Sequence, residues 1–569
     1  MKNQELADIF NRIADALEFK NELPFRIIAY RKAARILEDL TEDIETITAK
    51  NALLEIPGIG EGIAKKIDEY LKTGKMKKYH EALSGIKPEL LDLLNIQNLG
   101  PKTLALANKE LGVNNLKDLK KVIANGSLAN LFRMGEKKVE NIKKGIEIYE
   151  QAGERIPIDQ ALKIAEEYVA YLKKSPDVAQ VEPSGSLRRM KETIGDIDIL
   201  ITGKDGAKIV DYFTKYPKVS RVLGAGETKV SVMVGTGAEA TQVDIRILPV
   251  KLFGAALQYF TGSKAHNVKL RGLAKDKGMK VSEYGVFRGK KMIAGKTEEE
   301  VYKVLGLAWM PPELREDRGE IEAALKNKLP KLLELSDIKG DLQMHSRYSD
   351  GSVSIDEMAK AARELGYEYI AITDHSQSAQ YAHGLSIDRL KKQWDEIDQL
   401  NDKLPKFKIL KGIEADILAN AKLDTTDKIL AKMDFVIASI HQGFKKNVTE
   451  RICAALANPY VHIIAHPSGR LISRREGYDV DLEKVLECAL KYNKVLEINA
   501  YFDRLDLNEL YARKAKDMGM RLAINTDAHG PKDLEWMRYG VGTARRGWLE
   551  KKDVINTLSY TELKKFLSR

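Results

Sequence analysis

The apolar residues of the first fifty positions recur at helical spacing. Leu6, Ile9, Phe10, Ile13 and Leu17 fall on one stripe, which predicts amphipathic helices. The pattern then breaks around glycine: Leu54-Glu-Ile-Pro-Gly-Ile-Gly60 is followed by Ile63, Ile67 and Leu71, so two helices flank a Pro-Gly-x-Gly turn. Ile96-Gln-Asn-Leu-Gly-Pro-Lys-Thr103 reads as a second copy with Asn98 at the first glycine, and Asn tolerates left-handed backbone better than most residues. Phe132-Arg-Met-Gly-Glu-Lys137 is a weaker third. A helix is expected over 158–173, and then the period shortens. Ile197 and Ile199 flank Asp198, and Val243, Ile245 and Ile247 alternate with Asp244 and Arg246, which predicts half-buried strands. Residues 230–234 predict another. From Lys339 short apolar runs alternate with helical ones, the pattern of an α/β barrel.

The chain has 569 residues, enough for three or four domains with ample core. Its net charge of +10 makes nucleic acid the default polyanionic partner. The strongest local bias is Lys264–Lys291, with nine basic and two acidic residues. Only two cysteines occur, Cys453 and Cys488, so no disulfide framework is indicated and a reducing interior is expected. No apolar run is long enough to span a membrane and the N-terminus lacks a signal-peptide core, which predicts a cytoplasmic protein. Seven of nine histidines lie beyond residue 338, which marks a second chemistry.

The first chemistry centres on Gly185-Ser-Leu-Arg-Arg189 and Gly195-Asp-Ile-Asp-Ile-Leu200. Asp196 and Asp198, two apart on a strand, leave the same face. Carboxylates this close repel unless a cation lies between them. Asp244 supplies a third. The Gly185-Ser186 turn, with Arg188 and Arg189 beside it, offers donors to phosphate oxygens. Together these describe two-metal attack on a nucleoside triphosphate. The second chemistry lies at the ends of successive apolar runs. Asp341-Leu-Gln-Met-His345, Ile370-Ala-Ile-Thr-Asp-His375, a run ending at Glu414, and runs ending at His441, His466 and Asp527-Ala-His529 all deliver imidazole or carboxylate. In barrels the strands' C-terminal ends carry the active site. Such ligands without thiolate suit Zn, Mn or Fe.

The stretch around Asp196 resembles the nucleotidyltransferase palm of family X DNA polymerases, the group that includes DNA polymerase beta. The resemblance continues through Tyr259-Phe-Thr-Gly-Ser263, Asn267, Arg271 and Val281-Ser-Glu-Tyr284. The region beyond 338 resembles the polymerase and histidinol phosphatase (PHP) domain. The implied architecture is multidomain α/β. A helical domain with the first hairpin covers 1–85, a fingers-type helical domain 86–152, an α+β palm 153–250 and a thumb 251–315. A connector follows at 316–337, and a distorted (β/α) barrel at 338–569. The implied activity is DNA-directed DNA synthesis at short gaps in repair, with 3′-5′ exonuclease or end-processing phosphoesterase activity in the PHP domain. Other readings are a nucleotidyltransferase with a non-DNA acceptor, or a DNA-end scaffold with a phosphatase domain.

By resemblance, Asp196, Asp198 and Asp244 hold two Mg2+ or Mn2+ ions. Ser186, Arg189 and the Gly195 amide hold the triphosphate of a dNTP. Tyr259, Phe260 and Gly262 form a turn beneath its sugar, and Asn267 and Arg271 face the nascent pair. The PHP ligands would be His345, Asp350, His375, Glu414, His441, His466, Asp527 and His529, for up to three Mn2+ or Zn2+ ions. Gln343 stands where this motif usually opens with His, as a weaker ligand or a residue behind the ligands. Gly58, Gly60 and Gly100 would let helix N-terminal amides approach the backbone of gapped or primer–template DNA. Lys66 falls where relatives place a Schiff-base lysine, activated by Lys65, or is an ordinary DNA-facing lysine. A monomer is expected.

Overall fold

A computed structural model of the chain describes residues 2–96, 99–131, 134–151, 155–235 and 240–568. Two compact units divide it, Met1–Gly153 and Glu154–Arg569. In the first, the helices Lys2–Phe19 and Pro24–Asp39 bury Leu6, Phe10 and Ile13 against Ala33, Ala34 and Leu37, and Glu61–Thr73 adds Ile67 to the same core. Gly58 is left-handed (φ +95°), and a Cβ there would stand 2.7 Å from Lys32, so the first hairpin needs glycine at this point. Gly60 caps Glu61–Thr73 and Gly100 caps Pro101–Leu111, each with open space beside it. Asn98, Phe132 and Arg133 lie outside the described residues.

The second unit begins with a five-stranded sheet. Its order is Val178–Pro183, Ile197–Gly203, Thr241–Leu248, Lys229–Val234, Val219–Ala225. The one parallel pair, Ile197–Gly203 with Thr241–Leu248, sets Asp198 opposite Asp244. Ile197 and Ile199 point instead into a core shared with the helix Ile158–Leu172. The helices Phe253–Thr261 and Lys264–Asp276 follow, and then a three-stranded antiparallel sheet. The segment after residue 315 reads from sequence as a charged, helix-like connector. Here it holds the short helix Glu320–Leu325, whose Ile321 and Ala324 join the core around Val301 and Tyr302, and a 3-10 turn at Leu335–Asp337.

Seven parallel strands then run side by side in chain order, from Gly340–Met344 to Leu522–Asn525. A bridge between Met344 and Ala528 brings the last strand back towards the first, so the barrel nearly closes. The barrel packs directly on the five-stranded sheet's domain. Ile472, Leu505 and Tyr539 enter the core of Ile158 and Ala161, and Arg470 reaches Glu192 at 2.8 Å. Cys453 and Cys488 form a disulfide between the helices Val448–Ala457 and Leu482–Lys491, contrary to expectation. Tertiary packing brings their Cα atoms to 5.6 Å across 35 residues of sequence, and nothing in their spacing signals it. No helix among the described residues is long and apolar enough to cross a membrane.

The helix bearing Tyr259 and Phe260 is held by a close backbone approach. A Cβ on Gly254 would lie 2.1 Å from the Thr297 carbonyl carbon. Gly254→Ala should therefore lower stability by about 1–3 kcal/mol, measured by urea unfolding of the full chain.

Candidate active sites and metal centres

Asp196 lies just before the strand Ile197–Gly203, Asp198 on it and Asp244 on its parallel neighbour. An oxygen from each lies within 4.8 Å of the others. Burial, reinforced by Asp196 and Asp244, pushes the Asp198 carboxyl up to about 8. Burial and then Asp244 push Asp196 up as well. Lys229 lies 3.4 Å from Asp244, the Gln242 amide donates to Asp244 at 2.7 Å, and Arg155 opposes the rise at Asp196. Such a cluster fits divalent ions, which oxygen ligands favour. Gly185 (φ +64°) has no room for a Cβ, which would stand 2.3 Å from Asp198 Oδ2.

A cleft of ≈ 440 Å3 opens beside these carboxylates. Gly185, Ser186 and Arg189 line one side and Tyr259, Phe260 and Gly262 another, the two aromatics on the last turn of the helix Phe253–Thr261 instead of in a separate turn, with Asn267 and Arg271 beyond. The two adjacent arginines differ. Arg188 is consumed by a bidentate pair with Glu298 (2.8 and 2.9 Å), so it is not free for phosphate as expected. Arg189 donates to Glu316 at 3.0 Å and to the Thr261 carbonyl, and it lines the cleft. Asn267 is nearly buried, and its amide braces the turn by donating to the Tyr259 carbonyl at 2.7 Å. Gly195 abuts Arg155, a cleft residue that no motif signalled.

In the first unit, Lys66 donates to the Gly62 carbonyl at 2.6 Å and lies over the Tyr30 ring. Burial, and then Lys78, lower its pKa. Lys65, the expected activator, is instead 82% exposed.

The barrel gathers all eight expected imidazole and carboxylate ligands at the C-terminal ends of its strands. Glu414 lies at the centre: His375 Nδ1 approaches it at 3.2 Å, His466 Nε2 at 3.2 Å, His441 Nε2 at 3.4 Å and His345 Nε2 at 3.5 Å. His345 also meets Asp527 at 3.0 Å, while His375 and His529 meet Asp350 at 3.6 and 3.4 Å. Buried Nδ1 atoms of His345, His375 and His466, and Glu414 Oε2, have no hydrogen-bond partner. Orphaned polar atoms converging this way fit metal ions. The pKa shifts agree in sense: burial opposes it, yet His375, His441 and His466 hold Glu414 far down. Burial would lower His529, but Asp350 and Asp527 lift it to about 9. Behind the ligands, Asp416 bonds His441 Nδ1 at 2.6 Å and orients its ring. His466 (φ +31°) and Asp527 (φ +56°) hold strained backbone conformations, as functional sites often do.

Gln343 is fully buried on the first strand. With its amide turned so that nitrogen faces the carboxylate, it donates to both oxygens of Glu497. Glu497 also accepts from Asn525, Asn499 and the His466 amide. So turned, Gln343 is engaged with Glu497, behind the candidate ligands. The sequence reading missed Glu497, and it missed Tyr381, whose ring lies 6.1 Å from His375 and 6.0 Å from His441. His462 stacks on Phe435 away from the centre.

Four families match successive parts of the chain. They are a helix-hairpin-helix domain at 1–76, the DNA polymerase beta palm at 155–223, the DNA polymerase beta thumb at 256–316 and the PHP domain at 341–501. The DNA polymerase/3′-5′ exonuclease PolX of Bacillus subtilis is 40% identical over 574 aligned residues, spanning the whole of both chains. The chain belongs to the PolX family of DNA polymerases. DNA polymerase lambda of Rattus norvegicus is 29% identical over 51% of this chain and 52% of its own. Within this PolX chain the palm match ends before Asp244 and the PHP match before Asp527 and His529. Packing, beyond the matched segments, is what brings those three residues to the two centres.

Two outcomes follow from these charges. A carboxyl raised on folding destabilises the folded state as pH climbs from its unfolded value, near 4, to its folded one, about 8. Asp198→Asn should therefore raise the metal-free melting temperature at pH 9 and leave it unchanged below pH 4, by differential scanning calorimetry. Gln343→Leu leaves Glu497 short of a donor and should cost about 1–3 kcal/mol. Bound metal per chain, measured by plasma mass spectrometry, should not change.

Proposed function

We propose that this PolX chain fills short DNA gaps at its palm and trims 3′ ends at its barrel. The observation that carries this reading is the presence, in one unit, of two separate clusters that each demand cations: three carboxylates beside a cleft, and a histidine-rich centre at the barrel mouth. The full-length likeness to a relative named for both activities supports it.

At the palm, Asp196 and Asp198 would hold two Mg2+ or Mn2+ ions and Asp244 one of them. Such ions supply Lewis acidity to phosphoryl transfer. Ser186, Arg189 and the Gly195 amide orient the triphosphate, and Glu316 fixes the Arg189 fork. Tyr259 and Phe260, edge to face at 5.3 Å, form a firm floor for the sugar that disfavours a 2′-hydroxyl. Arg271 faces the nascent base pair. At the barrel, Mn2+ or Zn2+ would be shared among Glu414 and its histidines, with Asp350 and His529 at one side and Asp527 at another. The glycine hairpins of the first unit present helix N-termini to DNA phosphates, which fixes position without reading sequence. The lowered pKa of Lys66 supports a second reading there, Schiff-base removal of a 5′-deoxyribose phosphate. We further assign the chain to the cytoplasm, as a monomer.

Gap filling and degradation on one labelled primer–template test the reading. Asp198→Ala should reduce nucleotide addition by at least a thousandfold and spare degradation. His441→Ala should do the reverse, and loss of both activities together in either folded variant would contradict two separate centres.

A further inference from the structure

One charged side chain at the barrel mouth has no assigned partner. Arg504 Nε and Nη1 are buried without a hydrogen-bond acceptor, and its side chain is only 18% exposed. Its nearest counter-charge is Asp527 Oδ2 at 3.9 Å, too far for a hydrogen bond. It stands close enough to Glu414, His441, His466 and Tyr381 to act on them electrostatically.

A buried guanidinium kept for structure looks different in this same domain. Arg451 spends its donors on the carbonyls of Leu418, Gly443, Ile417 and Gln442. Asp506, the acidic residue two positions after Arg504, is already occupied by the backbone amides of Ser468 and Gly469. Arg504 is therefore held in place for something else.

The holding is firm. Arg470 donates to the carbonyl oxygens of Arg504 (2.9 Å) and Leu505 (2.6 Å) while pairing with Glu192 of the palm. Leu505 has a left-handed backbone (φ +42°) and is buried in the palm core, with Phe502 packed beside it. A strained, over-determined loop thus delivers a cation with free donors to a cation-binding centre. Charge decides what it meets. The centre contributes three carboxylates, Asp350, Glu414 and Asp527. Divalent ions there would draw on the charge of all three, and Asp416 and Asp506 are already bonded to His441 and to backbone amides. An anion spanning ions and guanidinium would satisfy the unpartnered donors, and the planar fork matches phosphate oxygens.

We propose that Arg504 binds the scissile phosphodiester at the PHP centre, a substrate-binding residue held in place by the palm. This rests on the hydrolytic reading of the barrel. The test uses the full chain with Mn2+ bound, comparing wild type with Arg504→Gln and the charge-preserving Arg504→Lys. Inorganic phosphate binding is measured by calorimetry, hydrolysis with thymidine 5′-(p-nitrophenyl phosphate), Mn2+ content by plasma mass spectrometry and folding by gap filling. Arg504→Gln should weaken phosphate binding and raise the diester KM at least tenfold, with Mn2+ content and gap filling unchanged, and Arg504→Lys should recover part of the loss. Unchanged phosphate affinity and KM in both variants would overturn the proposal. So would Mn2+ loss in step with activity, which would make Arg504 a prop for Asp527. Wild type that binds phosphate through Arg504 yet cleaves no diester would refute the hydrolytic reading and leave the phosphate site standing.

Discussion

Buried like charges cannot be held together without something positive between them, and both centres of this chain are built on that constraint. Asp198 and Asp244 on two parallel strands, and Asp196 just before the first, bring an oxygen each within 4.8 Å of the others, and the strands' other faces are sealed by isoleucine and valine. The strands cannot part to relieve the repulsion without exposing that core. Proton uptake at Asp198 is the metal-free substitute, and divalent ions are the occupants that oxygen ligands favour. In the barrel the same constraint appears as Asp350, Glu414 and Asp527 gathered among histidines, with Nδ1 of His345, His375 and His466 left without a hydrogen-bond partner.

The two centres belong to one packed unit. A helix of the barrel domain inserts Arg546 between the palm and the segment after the thumb, donating to the Arg189 carbonyl at 2.8 Å, to Glu316 at 3.0 Å and to Glu509 at 2.7 Å. Glu316 in turn holds the Arg189 fork. In the other direction, Glu192 of the palm anchors Arg470 and through it the loop of Arg504. Each domain thus braces a cationic side chain at its neighbour's site, although the ligand sets do not overlap.

Much of this arrangement was legible in the sequence because the imidazoles and carboxylates that could hold metal end apolar runs. A strand that stops at His345, His441 or His466 announces where its last side chains point. The palm carboxylates were legible for a similar reason, since alternation with isoleucine fixes their face. What stayed hidden depends on contacts between distant segments. Two adjacent arginines look alike until Glu298, 110 residues away, takes Arg188 and leaves Arg189 at the cleft. Glu497 lies inside Val-Leu-Glu-Ile-Asn, which reads as an ordinary strand, so its pairing with Gln343 could not be seen. Cys453 and Cys488 likewise meet only because two helices pack.

The central claim is that the chain holds two independent cation centres, each required by its own buried charges. Mn2+ titration followed by electron paramagnetic resonance, on wild type, Asp198→Ala and His441→Ala, tests it most directly. The account predicts two classes of bound ion, with the palm class lost in Asp198→Ala, the barrel class weakened in His441→Ala, and the other class intact in each. A single class that falls in both variants together would contradict it.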